Sequence, residues 1–211
     1  SQLPEDMVGL FREMLEGLGT ETVALLNTVV HAEASLDLRS ICHLSTLSRS
    51  EAREGLQVLV RRGLLRTEWW EGERVYSPSS SQLTEWREEL FGGVDKEWSS
   101  LVAKTLRASG LPGARVASAR HAVVASEGAD EQEVVGALAL AEELLRESSP
   151  EDARRVLVVL SHYAHGSKEH DIHYQLLTGR VSLALGDVEG ARDAFTHTAE
   201  QNSHEMPVVR R

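Results

Sequence analysis

Residues 59–78, LVRRGLLRTEWWEGERVYSP, decide the fold. The segment opens with the apolar end of a helix, which Gly63 closes. Two short runs rich in aromatic and β-branched residues follow, and the turn-like sequence Glu71-Gly72-Glu73 separates them. This pattern predicts a β-hairpin with strands at 64–69 and 74–78.

Helical spacing of apolar residues predicts three helices before the hairpin, at 20–32, 37–44 and 49–62. The third begins after Ser48, a good N-cap, with Glu51 in its first turn. Three helices followed by a hairpin is the order of a winged helix-turn-helix domain, in which the hairpin is the wing. We assign this domain to residues 20–93 and a leading helix to 1–19, and we expect no other β-structure.

The sequence after residue 79 has the pattern of helices only. We predict them at 82–91, 95–108, 112–125, 131–147, 150–164, 169–185 and 188–201. The fold is therefore expected to be mainly α, with the second domain at 94–211.

The last helices carry a repeat pattern. Gly179, Gly186, Ala191 and Phe195 follow the spacing of small and aromatic residues in a tetratricopeptide repeat. Ala153 and Leu157 stand 38 residues before Ala191 and Phe195, close to the period of about 34 in that repeat. The pattern predicts a tetratricopeptide-like array of helical hairpins.

Composition and charge describe an acidic protein. The net charge of −11 and the isoelectric point near 5.3 are unusual for a nucleic-acid binder. A single cysteine, Cys42, excludes an internal disulfide and fits a reducing cytoplasm. No apolar run approaches the roughly 18 residues of a membrane span. The first residues, SQLPED, differ from a signal peptide. We expect a cytoplasmic protein that does not contact membranes.

Three short segments, LPED (3–6), LSRSEA (47–52) and RRGLL (61–65), stand in this order before the hairpin and the helical array. With them the chain resembles a portion of the signal-transduction ATPases with numerous domains, or STAND regulators. The resemblance implies a winged helix that packs against a nucleotide-binding domain and repeats that sense ligands or partners.

The nucleotide-binding part of that family has no counterpart in this sequence. No loop ending in Gly-Lys-Ser or Gly-Lys-Thr occurs, so such a domain would belong to another part of the protein or to another chain. Many relatives carry a histidine just after the second wing strand, where this chain has Pro78 and Ser79. That difference argues against nucleotide sensing here, and we predict no cofactor.

DNA binding is the alternative function. Arg49, Arg53 and Gln57 recur at i, i+4 and i+8 on the predicted recognition helix, and Arg74 lies in the wing. However, residues 20–75 hold seven arginines against eight acidic residues, and three glutamates lie in the wing. A DNA-reading winged helix normally has a local basic face. A transcription regulator with a helical dimerisation or effector domain therefore ranks second.

The candidate partner-binding residues are aromatic. Adjacent strand residues point to opposite faces, so one of Trp69 and Trp70 is expected to pack on the core. The other would be covered either by the helices at 82–108 or by an external partner, because tryptophan is a common interface anchor. Tyr76 in the wing and Tyr163 and Tyr174 in the array are further candidates.

The array itself is acidic. Residues 130–155 hold eight acidic residues against three arginines, which favours a basic partner segment or simply keeps the protein soluble. We predict a non-enzymatic regulatory protein whose main task is protein–protein interaction.

No metal site or catalytic site is predicted. Histidine pairs with a spacing of three residues occur in SHYAHGSKEHDIHY, at His162, His165, His170 and His173, but no cysteine joins them. Cys42 and His43 are neighbours on a predicted helix and diverge by about 100°, so they cannot act as a nucleophile and base. Cys42 is expected to be a small core residue.

Overall fold

The computed structural model describes residues 5–127, 130–163 and 167–203. In these ranges the chain is mainly helical, with one small three-stranded sheet. It divides into two compact units, Ser1–Ala117 and Ser118–Arg211. The first unit therefore includes the helix that the sequence analysis placed at the start of the second domain.

The elements of the first unit, in chain order, are α1 (Glu5–Leu15), α2 (Thr20–Ala32), β1 (Leu36–Asp37), α3 (Leu38–Ser45), α4 (Arg49–Arg61), β2 (Leu65–Trp70), β3 (Glu73–Pro78), α5 (Ser81–Glu85), α6 (Arg87–Phe91) and α7 (Lys96–Arg107). Helix α8 (Ala114–Ser126) spans the boundary between the units.

Helix α2 is the centre of the first unit. Its side chains Leu25, Leu26 and Val29 are fully buried, and α4 packs on them. The two helices approach closely at Gly55, where an added Cβ would lie 2.5 Å from the Leu25 Cδ1 atom. Ser48 is the N-cap of α4, as predicted, and forms a capping box in which its side chain and that of Glu51 exchange hydrogen bonds with each other's backbone.

The sheet contains a strand that the sequence analysis did not predict. β1 pairs antiparallel with β3, with Leu36 opposite Tyr76, and β3 also pairs with β2. The expectation that the hairpin is the only β-structure is therefore wrong. A strand of two residues is too short to show alternation. Asp37, predicted to begin a helix, instead caps α3, since its Oδ1 accepts a hydrogen bond from the Ser40 amide at 2.7 Å.

The hairpin itself lies close to its predicted position. Glu71 and Gly72 form its two-residue turn with φ angles of 50° and 84°. Positive φ at both central residues is what a type I′ turn requires, and that turn matches the twist of paired strands. Trp69 lies opposite Arg74, and Trp70 lies opposite Glu73.

The predicted helix at 82–91 is broken at Trp86 into α5 and α6. Trp86 is buried, and its ring contacts that of Phe11 on α1 edge to face, with 5.3 Å between centroids. Through this contact the leading helix is joined to the core of the first unit. The ion pair between Glu33 and Arg87, at 3.0 Å, joins the end of α2 to α6.

His31 is a buried polar side chain near the end of α2. Its Nδ1 lies 3.2 Å from the Asn27 carbonyl oxygen and its Nε2 lies 3.1 Å from the Gly92 carbonyl oxygen. Burial lowers the pKa of His31 below its ordinary value of 6.5, and the nearby charge of Arg87 lowers it further, although the two carbonyl groups oppose this. His31 is therefore neutral at pH 7 and donates one hydrogen bond.

The second unit consists of helical hairpins that follow α8: α9 (Glu131–Arg146) with α10 (Pro150–Leu160), and α11 (Lys168–Ala184) with α12 (Val188–Ser203). Helix α11 also packs against α9 and α10. The predicted helices of this region are thus present, with small differences at their ends.

The turns of the two hairpins share one hydrogen-bond pattern. The Ser149 amide donates to the Leu144 carbonyl oxygen at 2.9 Å, and 38 residues later the Asp187 amide donates to the Ser182 carbonyl oxygen at 2.8 Å. The residue before each donor has a left-handed backbone, with φ of 61° at Ser148 and 83° at Gly186. Each first helix therefore ends in the same C-terminal cap.

The burial of one small residue also repeats in the two hairpins. Ala153 and Ala191 are buried at equivalent places in α10 and α12. Gly179 lets α12 approach α11, since a Cβ there would lie 2.6–2.9 Å from three ring atoms of Phe195. Ala153, Ala191 and Gly179 of the predicted pattern thus lie at positions where the helices pack closely.

Candidate functional site

The two adjacent tryptophans of the hairpin are both solvent-accessible. Trp69 is 71% exposed and Trp70 is 41% exposed, so the expectation that one of them packs on the core is wrong. Within β2 only Leu65 is buried. Strand alternation sends the two rings to opposite faces, but this part of the strand lies beyond the edge of the core, so neither face is covered by it.

Trp70 is anchored within the chain. Its indole Nε1 donates a hydrogen bond to the Gly110 carbonyl oxygen at 3.0 Å. Gly110 lies in the segment between α7 and α8, just beyond the helices that were expected to cover one tryptophan. Trp70 is therefore a partly exposed side chain with a structural contact.

Trp69 lies on the other face of the hairpin, together with Arg74 and Tyr76. The Arg74 guanidinium carbon lies 5.5 Å from the centre of the Trp69 ring, which is within cation–π range. We call Trp69 and the neighbouring Arg74 the hairpin face. Tyr76 is buried, so this predicted contact residue offers little surface for a partner.

A pocket of about 670 Å³ lies beside the hairpin face. Residues from α3, α4 and the sheet line it: Asp37, Leu38, Arg39, Cys42, Arg49, Arg53, Glu73, Arg74 and Tyr76. We call it the arginine pocket. Three of the DNA-binding candidates, Arg49, Arg53 and Arg74, are brought together here, whereas Gln57 is not among the lining residues.

The fourth arginine of the pocket, Arg39, was missed by the sequence analysis. It lies on α3, away from the periodic stripe of α4, and only the packing of α3 beside α4 brings it near Arg49. Cys42, expected in the core, is half-buried: it packs against the core and also lines this pocket.

The array candidates belong to the second unit. Tyr163 is half-buried in the turn after α10, with its ring 6.3 Å from that of His162, and Tyr174 is half-buried in α11. The second unit also exposes large apolar side chains that the sequence analysis did not single out: Val135, Val158, Leu176, Leu183 and Val188.

The histidine-rich segment is described only in part. His165 lies outside the described residues. His170 lies 3.6 Å from the Glu131 carboxylate. Within the residues that the structure describes, no three histidine, cysteine or acidic side chains are grouped so that they could hold a metal ion.

Searches with this chain against protein families, curated proteins and solved structures give no match. Among the helices of the described ranges, none has the length and apolar character needed to cross a membrane.

Proposed function

We propose that this protein is a non-enzymatic regulatory protein that binds a protein partner through the hairpin face. The observation that supports this most is the exposure of Trp69. A tryptophan that is 71% exposed leaves a large apolar surface in water, although the same strand anchors its neighbour Trp70. Tryptophan and arginine are the residues most often found as energetic anchors of protein interfaces.

The local geometry prepares Trp69 for docking. Arg74 lies over one part of its ring, and the type I′ turn fixes the two strands in register. A side chain that is already ordered loses less conformational entropy on binding than a mobile one. The hairpin face can therefore bind a partner with a small reorganisation cost.

The helical array would supply a second contact region, with Tyr163 and Tyr174 as candidate residues. Stacked helical hairpins leave extended surfaces that suit peptides or helices. The acidic surplus of residues 130–155 favours a basic segment in the partner, and such an encounter should weaken as salt screens it. In the setting that the STAND resemblance implies, the chain would be the sensor or adaptor part, and the nucleotide-binding domain is itself a candidate partner.

Affinity capture with matched variants tests this proposal. Immobilised wild-type protein, Trp69→Ala and Val188→Ala are compared for the partners that they retain from an extract of the source cell. Val188 is 66% exposed in the second unit and controls for the loss of an exposed apolar side chain. We expect Trp69→Ala to lose a partner that Val188→Ala keeps. Equal retention by all three proteins would remove the hairpin face from the proposal.

A second candidate is DNA binding, which the convergence of Arg49, Arg53 and Arg74 in one pocket favours. It ranks lower because Glu73 at the pocket and the exposed Glu68 and Glu71 on the same hairpin would repel the phosphates on either side of one bound in the pocket. An anisotropy titration with duplex DNA at moderate salt tests it. Submicromolar, sequence-selective binding that Arg49→Ala or Arg53→Ala abolishes would place DNA binding first.

A further inference from the structure

The side chains that line the arginine pocket carry a net positive charge. Four arginines and two carboxylates line it, which leaves two positive charges. Within the described part of the chain, Arg39, Arg49 and Arg53 form no ion pair with any carboxylate. Asp37 is already engaged in capping α3. Guanidinium groups that converge with a surplus of positive charge form a binding site for an anion.

We propose that the arginine pocket binds a phosphate monoester dianion. Such a group carries a charge of about −1.5 to −2 at pH 7 and presents three acceptor oxygens. Its charge therefore matches the two uncompensated positive charges of the pocket. Planar guanidinium groups bind phosphate through two parallel hydrogen bonds, which a lysine cannot do.

The pocket has room for more than the phosphate. Its volume of about 670 Å³ lies in the usual range of small-molecule sites, about 300–1,000 Å³. Leu38, Cys42 and Tyr76 provide less polar walls beside the arginines. The molecule that carries the phosphate would contact these side chains. It is either a small phosphate monoester or a phosphorylated side chain of a protein, since both offer the same dianion.

A long polyanion fits this surface less well. Glu73 lines the pocket, and Glu68 and Glu71 are exposed on the same hairpin. They would repel the phosphates that follow and precede the bound one in a DNA strand. The arginine pocket shares Arg74 with the hairpin face, but phosphate binding in the pocket does not require docking through Trp69.

Cys42 provides a direct test, because it is the only cysteine of the chain and it lines the pocket. The rate of its modification by a neutral disulfide reagent, 4,4′-dithiodipyridine, is followed as free phosphoserine is added at constant ionic strength. We expect saturable protection of Cys42. The concentration that gives half protection should rise about tenfold in Arg49→Gln and in Arg53→Gln, since each loses a charge-assisted contact.

Arg61→Gln is the matched control, because Arg61 is exposed on the same helix and does not line the pocket. It should leave the half-protecting concentration close to the wild-type value. The far-UV circular dichroism of each variant confirms that it is folded. All three arginines are exposed, so their replacement should not affect folding.

Further arms identify the source of the phosphate. A phosphoserine peptide that protects at much lower concentration than free phosphoserine, while its unphosphorylated form does not protect, identifies a protein source. Equal potency of peptide and amino acid identifies a small molecule. The proposal is overturned if free phosphoserine gives no saturable protection, if Arg61→Gln weakens protection as much as Arg49→Gln, or if only duplex DNA protects.

Discussion

The two adjacent tryptophans should respond differently to the same substitution. Trp70→Phe removes the indole N–H that donates to the Gly110 carbonyl oxygen, whereas Trp69→Phe removes no hydrogen bond of the indole in the described structure. A hydrogen bond of this kind contributes about 0.5–1.5 kcal/mol to stability. The smaller ring also loses roughly 20 Å² of apolar contact at the half-buried position, or about 0.5 kcal/mol.

We therefore expect Trp70→Phe to lower the free energy of unfolding of the first unit by about 1–2 kcal/mol. Trp69→Phe should lower it by about 0.5 kcal/mol or less, because most of this ring is already in water and a phenyl ring still accepts the Arg74 cation.

Urea unfolding followed by tryptophan fluorescence measures both values. All four tryptophans lie between residues 69 and 98, so their signal reports on the first unit alone. Each variant loses one tryptophan, which makes the pair a matched comparison. If Trp69→Phe destabilises the unit as much as Trp70→Phe, then Trp69 is a structural side chain. The assignment of a structural role to Trp70 and a docking role to Trp69 is then wrong.

Three further predictions concern packing, backbone strain and pH. Gly179→Ala should destabilise the second unit by about 1–2 kcal/mol, because overlap of the added Cβ with Phe195 outweighs a gain in helix propensity of about 1 kcal/mol. Gly136→Ala has open space around the added Cβ and should stabilise the second unit. Ser148→Gly should stabilise the second unit by about 0.5 kcal/mol, because glycine adopts the positive φ of this position without strain. Amide hydrogen exchange in the second unit measures the stability of all three variants. The pKa of His31 is lower in the folded chain than its ordinary value of 6.5, so below pH 6.5 the unfolded chain binds more protons than the folded chain. The free energy of unfolding should therefore fall as pH decreases from 6.5, and it should fall less steeply in His31→Gln. Identical dependence on pH of the two unfolding free energies, measured in urea, would contradict this.

Local patterns were enough to predict the hairpin and most of the helices. Apolar spacing located α2 and α4, the Ser48 cap marked the start of α4, and glycine with acidic neighbours marked the hairpin turn. These signals arise from contacts within a few residues. The resemblance of the chain to STAND regulators and the tetratricopeptide-like arrangement stay predictions.

Features that depend on tertiary packing could not be read in the same way. β1 exists because Leu36 pairs with Tyr76, which lies 40 positions later in the chain. Counting charges over residues 20–75 suggested no basic face, yet folding brings Arg39 beside Arg49 and Arg53. Strand alternation predicted that the tryptophans point apart, but burial depends on how far the core extends under the hairpin.

The hairpin shows both outcomes: its sequence predicts its conformation but not the burial of its side chains. A tryptophan next to a predicted turn is a weak sign of exposure, because a turn usually marks the outer end of a hairpin. That sign could have indicated that both tryptophans, Trp70 beside the turn and Trp69 before it, are solvent-accessible.

The central claim, that Trp69 is a docking residue, is tested most directly by hydroxyl-radical footprinting of the chain alone and in complex with a captured partner. Mass spectrometry quantifies oxidation at Trp69, with Val188 as the exposed reference in the second unit. We predict that oxidation of Trp69 falls severalfold in the complex and that oxidation of Val188 falls less. An unchanged rate at Trp69, in a complex that protects another part of the chain, would contradict the account.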